Sequence, residues 1–374
     1  MIRKIEIRPY YTLAHMNFYT KEKLIASCAN LTDLIELNNS NKGSVIISEY
    51  GGRILGLFPK SDEINLLWVN SKIKEIIQSK ERAIGGDRYW ISPERDFFYK
   101  DPTTWSDWFC PPGLDPGKYE ILAYNQHSCT VSSAISLINQ RTKQKINGEI
   151  SRQFSIAKEP IETGVEYYCG VEIIDDCVLF EPKQKVNGWS LACVISGGIS
   201  NPGTVLIPTK ASPKPISYFR TIPQNRLIVG ENYIAFKIDV HDIYKLAVCP
   251  EDINFSKKCK IAYILKIPNS NNFCLIMKLS DDIPQLQKEC FDVARDHPDA
   301  EIGVIQSYNS ESPDSPILRY GEIEMQLNMF KTIDNTSHGK ARHQLLGYIG
   351  EKREIMEVLE KYTSISNPLL FTHH

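Results

Sequence analysis

The 374-residue chain has no long apolar run and almost no net charge. Its longest hydrophobic stretches are strand-sized, whereas a membrane-spanning helix needs about 20 consecutive apolar residues. The formal net charge of −2 gives no broad electrostatic attraction to nucleic acid or to an anionic membrane. The first residues include lysine and arginine but neither the apolar core nor the cleavage site of a signal peptide. The sequence therefore predicts a cytoplasmic protein whose partners are neither nucleic acids nor membranes.

The short motifs of common metal, nucleotide and hydrolase sites are also missing. Ten cysteines are present, but they form no C-x-x-C pair and are expected to be small buried side chains. The eight histidines form no H-E-x-x-H or H-x-H motif, which argues against a metal site. Neither a G-x-S-x-G motif nor the glycine spacing of a nucleotide-binding loop occurs. We therefore expect no metal and no organic cofactor.

What the sequence does contain is a succession of short β-type runs. From residue 119 to about 280 these runs follow one another and are separated by turn residues such as Asn-Gly and Pro-Gly. This cadence predicts a large antiparallel all-β architecture rather than alternating strands and helices. Further strands are predicted on both sides of Gly51-Gly52 and at 64–70, 302–309 and 320–327.

Two helices are predicted at the ends of this β-rich chain. Apolar residues recur at helical spacing over about 20–38, where Thr20 can cap the first turn, and again over about 351–362. No internal repeat, low-complexity block or linker interrupts the chain. The expectation is a single domain over 1–374, as a monomer or a homodimer.

The segment GGDRYWISPE, residues 85–94, combines adjacent glycines with charged and aromatic residues. Its glycines permit a turn with positive φ, but their spacing does not suit a phosphate loop. We expect the turn to deliver Asp87, Arg88 and Trp90 to the wall of a cleft, and Glu94 to follow where the chain turns away.

Four of the five tryptophans lie between Trp68 and Trp108. Such rings either line a sugar-binding groove, since the CH-rich face of a pyranose packs on an aromatic ring, or fill the core under a long loop. The charged residues mixed into this segment favour the groove, because a dry core tolerates few unpaired charges.

The run YGEIEMQLN predicts a strand with two different faces. Because side chains alternate along a strand, Tyr320, Glu322, Glu324 and Gln326 share one face, and an apolar set shares the other. The polar face either meets bulk water or lines a cavity. In a cavity, one glutamate could be a general base whose pKa is tuned by burial and by the neighbouring carboxylate.

Several motifs together resemble the galactose-mutarotase-like superfamily. These are EYGGRILGLFP, NLLWVN, GGDRYWISPERDFFY, WFCPPGLDPGKYE, GVIQSYN and YGEIEMQLNMF, spread over residues 43–350. The resemblance is to a branch that carries GGDR-W-x-x-PE followed by LDPG. It implies an all-β supersandwich of two large, curved antiparallel sheets with a few short helices and a concave sugar-binding cleft.

In that superfamily a late glutamate acts as the base and a histidine as the acid in the exchange of sugar anomers. The resemblance makes Glu324 or Glu322 the base. The histidine motif is not recognisable, so the acid is left open as a histidine, with His241 and His338 as candidates, or a lysine. The residues expected to bind the sugar are Arg53, Asp87, Arg88, Trp90, Glu94, Trp108, Tyr320 and Gln326.

Three functions remain open on the sequence. The first is a mutarotase- or epimerase-like enzyme acting on a small carbohydrate by acid–base proton transfer. The second is a non-catalytic sugar-binding or sensing protein that uses the same cleft. The third is a polysaccharide lyase or hydrolase, for which Glu94 opposite Glu322 or Glu324 would flank the cut bond better than two glutamates of one strand.

Overall fold

Two large antiparallel β-sheets dominate the computed structural model, which describes residues 18–39, 43–60, 64–291, 302–312 and 315–371. Only a few short helices accompany them. The all-β supersandwich class expected from the sequence is therefore confirmed. In the described part of the chain, no helix is long and apolar enough to cross a membrane.

The strands are numbered in chain order. The nine-stranded sheet contains, in spatial order, β1 (Leu34–Asn38), β2 (Ser44–Ser48), β3 (Arg53–Phe58), β4 (Asp87–Ser92), β11 (Asn187–Val194), β20 (Ser315–Met329), β19 (Ile305–Ser312), β16 (Tyr244–Val248) and β13 (Ile216–Tyr218). The eleven-stranded sheet contains β14 (Leu227–Val229), β15 (Tyr233–Ile238), β12 (Gly203–Pro208), β17 (Cys259–Lys266), β18 (Asn272–Ser280), β22 (Thr336–Glu351), β10 (Tyr167–Leu179), β9 (Lys145–Ile156), β8 (Ser128–Ile138) and β7 (Glu120–Tyr124), with β21 (Lys331–Ile333) paired to β22.

A separate hairpin joins β5 (Tyr99–Asp101) to β6 (Ser106–Trp108). The α-helices are α1 (Lys21–Cys28), α2 (Ile73–Gln78), α3 (Glu94–Phe98) and α4 (Lys352–Thr363), and short 3₁₀ helices lie at Gln224–Arg226, Pro250–Asp252 and Gln287–Glu289. Helix α4 confirms the helix expected near the end of the chain. It packs Ile355, Val358 and Leu359 against the outer side of the eleven-stranded sheet.

The helix predicted over 20–38 is wrong beyond Cys28. Thr20 does cap α1, accepting a hydrogen bond from the Lys23 amide. However, Asn30 takes a positive φ of 63°, and 34–38 becomes the edge strand β1. The apolar spacing there fits a helix, but pairing with β2 satisfies the backbone and buries Leu37 equally well, so tertiary context overrides the local pattern.

The strand predicted at 64–70 does not form as a continuous strand. Only isolated bridges form there, between Leu67 and Val194 and between Val69 and Gly85. The strands predicted on both sides of Gly51-Gly52 are present as β2 and β3.

The interior between the two sheets holds a cluster of charged side chains as well as apolar ones. Asp87 Oδ2 lies 2.6 Å from Lys278 Nζ, and Asp87 Oδ1 lies 3.2 Å from Arg152 Nη2. Arg152 Nε also binds Asp175 Oδ1 at 2.7 Å, and Asp175 Oδ2 contacts His343 Nε2 at 2.8 Å. All five side chains are fully buried. The cluster therefore ties β4 of one sheet to β9, β10, β18 and β22 of the other.

The charges in this cluster shift one another's pKa values. Burial opposes the ionisation of Asp175, but Arg152 and the hydrogen bond from His343 outweigh burial and lower the pKa of Asp175 to about 2. Burial likewise opposes ionisation of Asp87, yet Lys278 and Arg152 hold its pKa below the ordinary value. Both carboxylates are therefore ionised in the folded protein at neutral pH.

Acid is expected to weaken the fold through this cluster. A carboxyl whose pKa is lowered by folding stabilises the protein above its unfolded pKa, here about 3.8, and loses that contribution as the pH falls towards about 2. The free energy of unfolding, measured by urea titration from pH 5 downwards, should fall over that window. The fall should be shallower in Asp175→Asn, and equal steepness in the two proteins would contradict the assignment.

Candidate functional site

The GGDR segment forms the turn that its glycines predict. Gly85 and Gly86 have φ values of 94° and 77°. A Cβ on Gly85 would lie 2.3 Å from the carbonyl oxygen of Trp68, so a larger residue does not fit there. The turn leads directly into β4, whose residues point alternately to the two sides of the nine-stranded sheet.

This alternation separates Asp87 from Arg88. Arg88 and Trp90 lie on the side of the sheet that faces away from the sandwich interior, whereas Asp87 points inward to Lys278 and Arg152. The prediction that Asp87 lines the same cleft as Arg88 is therefore corrected: Asp87 belongs to the interior charge cluster. The physical reason is that consecutive residues of a strand occupy opposite faces.

Strand β20 pairs with β11 on one side and with β19 on the other, so its polar side chains lie beside residues from other parts of the chain. Leu191 of β11 pairs with Glu324 and Arg88, and Tyr308 of β19 pairs with Glu322 and Lys245. We call Arg88, Lys245, Tyr308, Glu322 and Glu324 the carboxylate site. It lies in the middle of the nine-stranded sheet.

Glu322 is held by Arg88 and by a thiol. Arg88 Nη2 lies 2.6 Å from Glu322 Oε1, and both side chains are almost completely buried. Arg88 Nη1 also donates to Cys193 Sγ at 3.3 Å, and that sulfur lies 3.7 Å from Glu322 Oε1. Burial raises the pKa of the Cys193 thiol to about 12, so Cys193 is a neutral donor.

Glu324 is more deeply buried, and only one of its two carboxylate oxygens has hydrogen-bond partners. Its Oε2 accepts hydrogen bonds from Lys245 Nζ and from Trp189 Nε1, both at 3.0 Å. Its Oε1 is buried and has no hydrogen-bond partner within the described part of the chain. Burial raises the pKa of Glu324, the nearby charge of Glu322 raises it further, and Lys245 lowers it in part. A carboxyl with a raised pKa is suited to accept and return protons near neutral pH.

A carboxylate that the sequence analysis did not select, Asp115, joins the two most specific motifs. It lies in the GLDPG loop and accepts a hydrogen bond from Trp90 Nε1 at 2.8 Å, while Arg88 Nε lies 4.0 Å away. It also pairs with the buried Arg53, which donates to the carbonyl of Gly85 at 3.0 Å. The GGDR turn and the GLDPG loop are therefore one structural unit.

Short elements after β4 place aromatic rings beside the carboxylate site. Trp108 of β6 donates from Nε1 to Glu94 Oε1 at 2.8 Å, and the Arg82 guanidinium stacks 4.7 Å from the Trp108 ring. Phe98 of α3 contacts the rings of Trp90, Trp108 and Trp189. Trp108 is 40% exposed, in contrast to Trp90 at 4%. Trp108 is thus the surface member of a continuous aromatic cluster.

A second row of rings crosses the sheet beside the carboxylates. The ring of Tyr320 lies 4.7 Å from that of Trp68 and 6.4 Å from that of Tyr308, whose other neighbour is Phe219 at 6.0 Å. Tyr308 and Tyr320 are half-buried. Burial and the charges of Glu322, Glu324 and Glu94 raise the pKa of Tyr308 to about 12. The charge of Glu94 therefore acts on the same phenol as the charges of the two strand glutamates.

Three of the predicted residues have other surroundings. Gln326 is buried and bonds to Asn187 and to the backbone of Phe291 and Gly303, so it anchors segments beside the sheet. His338 lies on β22 of the other sheet, where Nε2 contacts Asp176 Oδ1 at 2.6 Å. His241 lies on an exposed turn, and its carbonyl accepts from Arg226. The structure does not bring His338 together with the carboxylates.

Sequence reasoning missed several residues of the site. The sequence shows the alternating strand patterns that contain Lys245, Tyr308 and Trp189. It does not show that these side chains lie beside carboxylates, because that depends on how the strands pair across the sheet. Asp115 had a usable signal, since it is the acidic residue of the specific GLDPG motif.

An open cavity of about 550 Å³ lies elsewhere on the molecule. It is lined by Lys210, Phe255, Asp281, Ile283, Gln285, Leu286, Glu289 and Asn328. It shares no residue with the carboxylate site. Among the described residues, no group of three His, Cys, Asp or Glu side chains could hold a metal ion.

Comparison with known proteins gives a family and a distant structural likeness. A model of a family of unknown function, DUF6786, matches residues 17–365. An aldose epimerase homologue from C. elegans is similar over 86% of this chain and 99% of its own, with 10% identity and a TM-score of 0.40. Galactose 1-epimerase from Lactobacillus acidophilus NCFM is similar over 86% and 95%, with 10% identity and a TM-score of 0.45. No curated protein matches the sequence. Sequence identities of 10% and TM-scores below 0.5 carry no conclusion about what this chain does.

Proposed function

We propose, given that the chain belongs to the family of unknown function DUF6786, that its carboxylate site binds an aldose and exchanges the sugar's anomers. The observation that carries the proposal is Glu324, a buried carboxylate with both hydrogen bonds on Oε2 and none on Oε1 in the described part of the chain. Such an oxygen is suited to accept the proton of a sugar hydroxyl.

The composition of the surroundings also supports a sugar as the ligand. Sugars present CH-rich faces and many hydroxyls, so their sites combine aromatic rings with charged hydrogen-bonding groups. Here the rings of Trp108, Tyr308 and Tyr320 reach the surface, while Arg88 and Glu322 form a charged pair beneath them. Because Arg88 and Lys245 balance Glu322 and Glu324, a neutral ligand suits the site better than a charged one.

In this mechanism Glu324 is the catalytic base. It takes the proton of the anomeric hydroxyl as the sugar ring opens, and it returns a proton when the ring closes on the other face of the aldehyde. Lys245 and Trp189 hold Oε2 and leave Oε1 for the substrate. Glu322 and Arg88 orient sugar hydroxyls, and Trp108 contacts a CH-rich face of the ring.

Anomer exchange can be measured directly by proton NMR. Freshly dissolved D-glucose, D-galactose, D-mannose and D-xylose are each followed with and without the protein. We expect at least one aldose to reach its anomeric equilibrium faster with the protein. The absence of any acceleration across the panel and across pH 5–9 would contradict the enzymatic proposal.

A specific observation also favours a non-catalytic sugar-binding protein. Glu322 and Glu324 both already form ion pairs, with Arg88 and Lys245, and an ion-paired carboxylate can serve as a hydrogen-bond acceptor alone. This candidate predicts saturable binding in calorimetry together with an unchanged rate of anomer exchange.

Replacing Trp108 by alanine is expected to weaken aldose binding about 5- to 30-fold, or roughly 1–2 kcal/mol, because a truncated aromatic anchor at a binding surface typically costs this much. Calorimetry on both proteins gives the ratio. Tyr124→Ala is a matched control, since Tyr124 is a 66% exposed ring on the edge strand of the other sheet. Equal affinities for the wild type and Trp108→Ala would exclude Trp108 from the site.

A further inference from the structure

We propose that Tyr308, rather than a histidine, donates the proton to the sugar's ring oxygen, an inference that rests on the proposed function. Ring opening needs a base at the anomeric hydroxyl and an acid at the ring oxygen. The carboxylate site supplies the base, and Tyr308 is its one member with a phenol that can donate a proton.

The position of Tyr308 follows from strand register. Its Cα pairs with Glu322 on one side and with Lys245 on the other. The negative charges of Glu322, Glu324 and Glu94 all act on its phenol. The carboxylates themselves are almost completely buried, whereas Tyr308 is half-buried. Part of the Tyr308 side chain therefore reaches the surface beside the buried charges.

The ring of Tyr308 is also held in place. Phe219 and Tyr320 both meet it edge to face, with ring centroids 6.0 Å and 6.4 Å away. A side chain held by packing on both sides needs little reorganisation to donate a proton, which is the condition for efficient acid catalysis.

The phenol carries its proton under ordinary conditions. Burial and the three carboxylates raise the pKa of Tyr308 to about 12. Tyr308 is therefore protonated at neutral pH and has a proton to donate when the ring opens. Tyrosine is among the side chains that transfer protons to reacting groups in general acid–base catalysis.

The described histidines offer no comparable donor. Of the four, His338 and His343 lie on the eleven-stranded sheet and contact Asp176 and Asp175. His127 lies on an exposed turn with Nδ1 on the carbonyl of Asn38, and His241 lies on the exposed turn before β16. None of these four is a member of the strand face that carries Glu322 and Glu324.

The step conserves protons and electrons. Glu324 Oε1 takes the proton of the anomeric hydroxyl as the bond from C1 to the ring oxygen breaks and a C1=O carbonyl forms. The electron pair of the broken bond stays on the ring oxygen, which takes the proton of Tyr308. Lys245 stabilises the resulting phenolate. After rotation about the C1–C2 bond, the ring oxygen returns its proton to Tyr308 as it attacks C1, and Glu324 returns the other proton to O1.

The test compares Tyr308→Phe with wild type on the aldose that wild type converts fastest. We expect kcat for anomer exchange to fall about 100-fold or more, the usual range for losing a general acid. The affinity for the methyl glycoside of that aldose, which cannot open its ring, should change less than about threefold. Tyr167→Phe is the control, because Tyr167 is equally half-buried but lies on β10 of the other sheet.

The possible outcomes separate this inference from the function on which it rests. An unchanged kcat in Tyr308→Phe, with wild type active, overturns the role of Tyr308 and leaves the proposed function standing. Equal losses of kcat and of methyl glycoside affinity overturn it as well, since they mark a binding or structural role. Inactivity of the wild type towards the whole panel overturns both.

Discussion

Glu324→Gln is expected to slow anomer exchange by about 10²–10⁴-fold, because the amide cannot accept the proton of the anomeric hydroxyl. The substitution should keep the fold. The amide oxygen can still accept the hydrogen bonds that Lys245 and Trp189 make to Oε2. Proton NMR on the preferred aldose gives the rate, and calorimetry with its methyl glycoside gives the binding.

The pH dependence of the wild-type rate provides a second signature of the same residue. The base acts only when ionised, and the pKa of Glu324 is raised above 4.5. The rate of wild type should therefore rise with pH on a limb that lies above pH 4.5, and this limb should be missing in Glu324→Gln.

A matched control uses Glu172→Gln, because Glu172 is a half-exposed carboxylate on β10 paired with Arg342. It should leave the rate unchanged. Full activity in Glu324→Gln would exclude Glu324 as the base. Retained sugar binding combined with an inactive wild type would favour the non-catalytic function.

Asp87→Asn is expected to lower the free energy of unfolding by about 3–5 kcal/mol, because removing one partner of a buried ion pair leaves its cations uncompensated. Asp87 binds both Lys278 and Arg152 in the sealed interior between the sheets. Urea unfolding at pH 7, followed by circular dichroism, measures the change.

The control for this substitution is Asp242→Asn. Asp242 pairs with Arg220 at the surface, where both side chains are roughly half exposed, and such pairs contribute only about 0–1 kcal/mol. Equal destabilisation by the two substitutions would show that the interior cluster is not a special source of stability. A loss of stability in Asp87→Asn without loss of sugar binding would also separate Asp87 from the carboxylate site.

Much of the architecture followed from local pattern. Alternation along 320–326 correctly separated the polar face of β20 from its apolar face, and the polar face proved to be buried beside other charges rather than in bulk water. Gly85-Gly86 correctly indicated a turn with positive φ. The segment 34–38 was misassigned, because its apolar spacing fits a helix and a strand equally well and only the partner β2 decides.

The sequence pattern predicted only some of the residues that form the carboxylate site. Arg88 and Glu322 were both expected in the cleft, and the structure pairs them. Asp87 was expected beside Arg88 and instead lies on the opposite side of the sheet. Lys245, 79 positions from Glu324 in the chain, had no signal that linked it to that carboxylate.

The sequence by itself determined the strand class, the two faces of β20 and the glycine turn, because each depends on residues within a few positions of one another. Only the tertiary structure decided which residues meet Glu324. Backbone hydrogen bonds align strands that lie far apart in the chain, and a shift of register by one residue would exchange every side chain between the two faces. The carboxylate site exists because β4, β11, β20, β19 and β16 pair in that order.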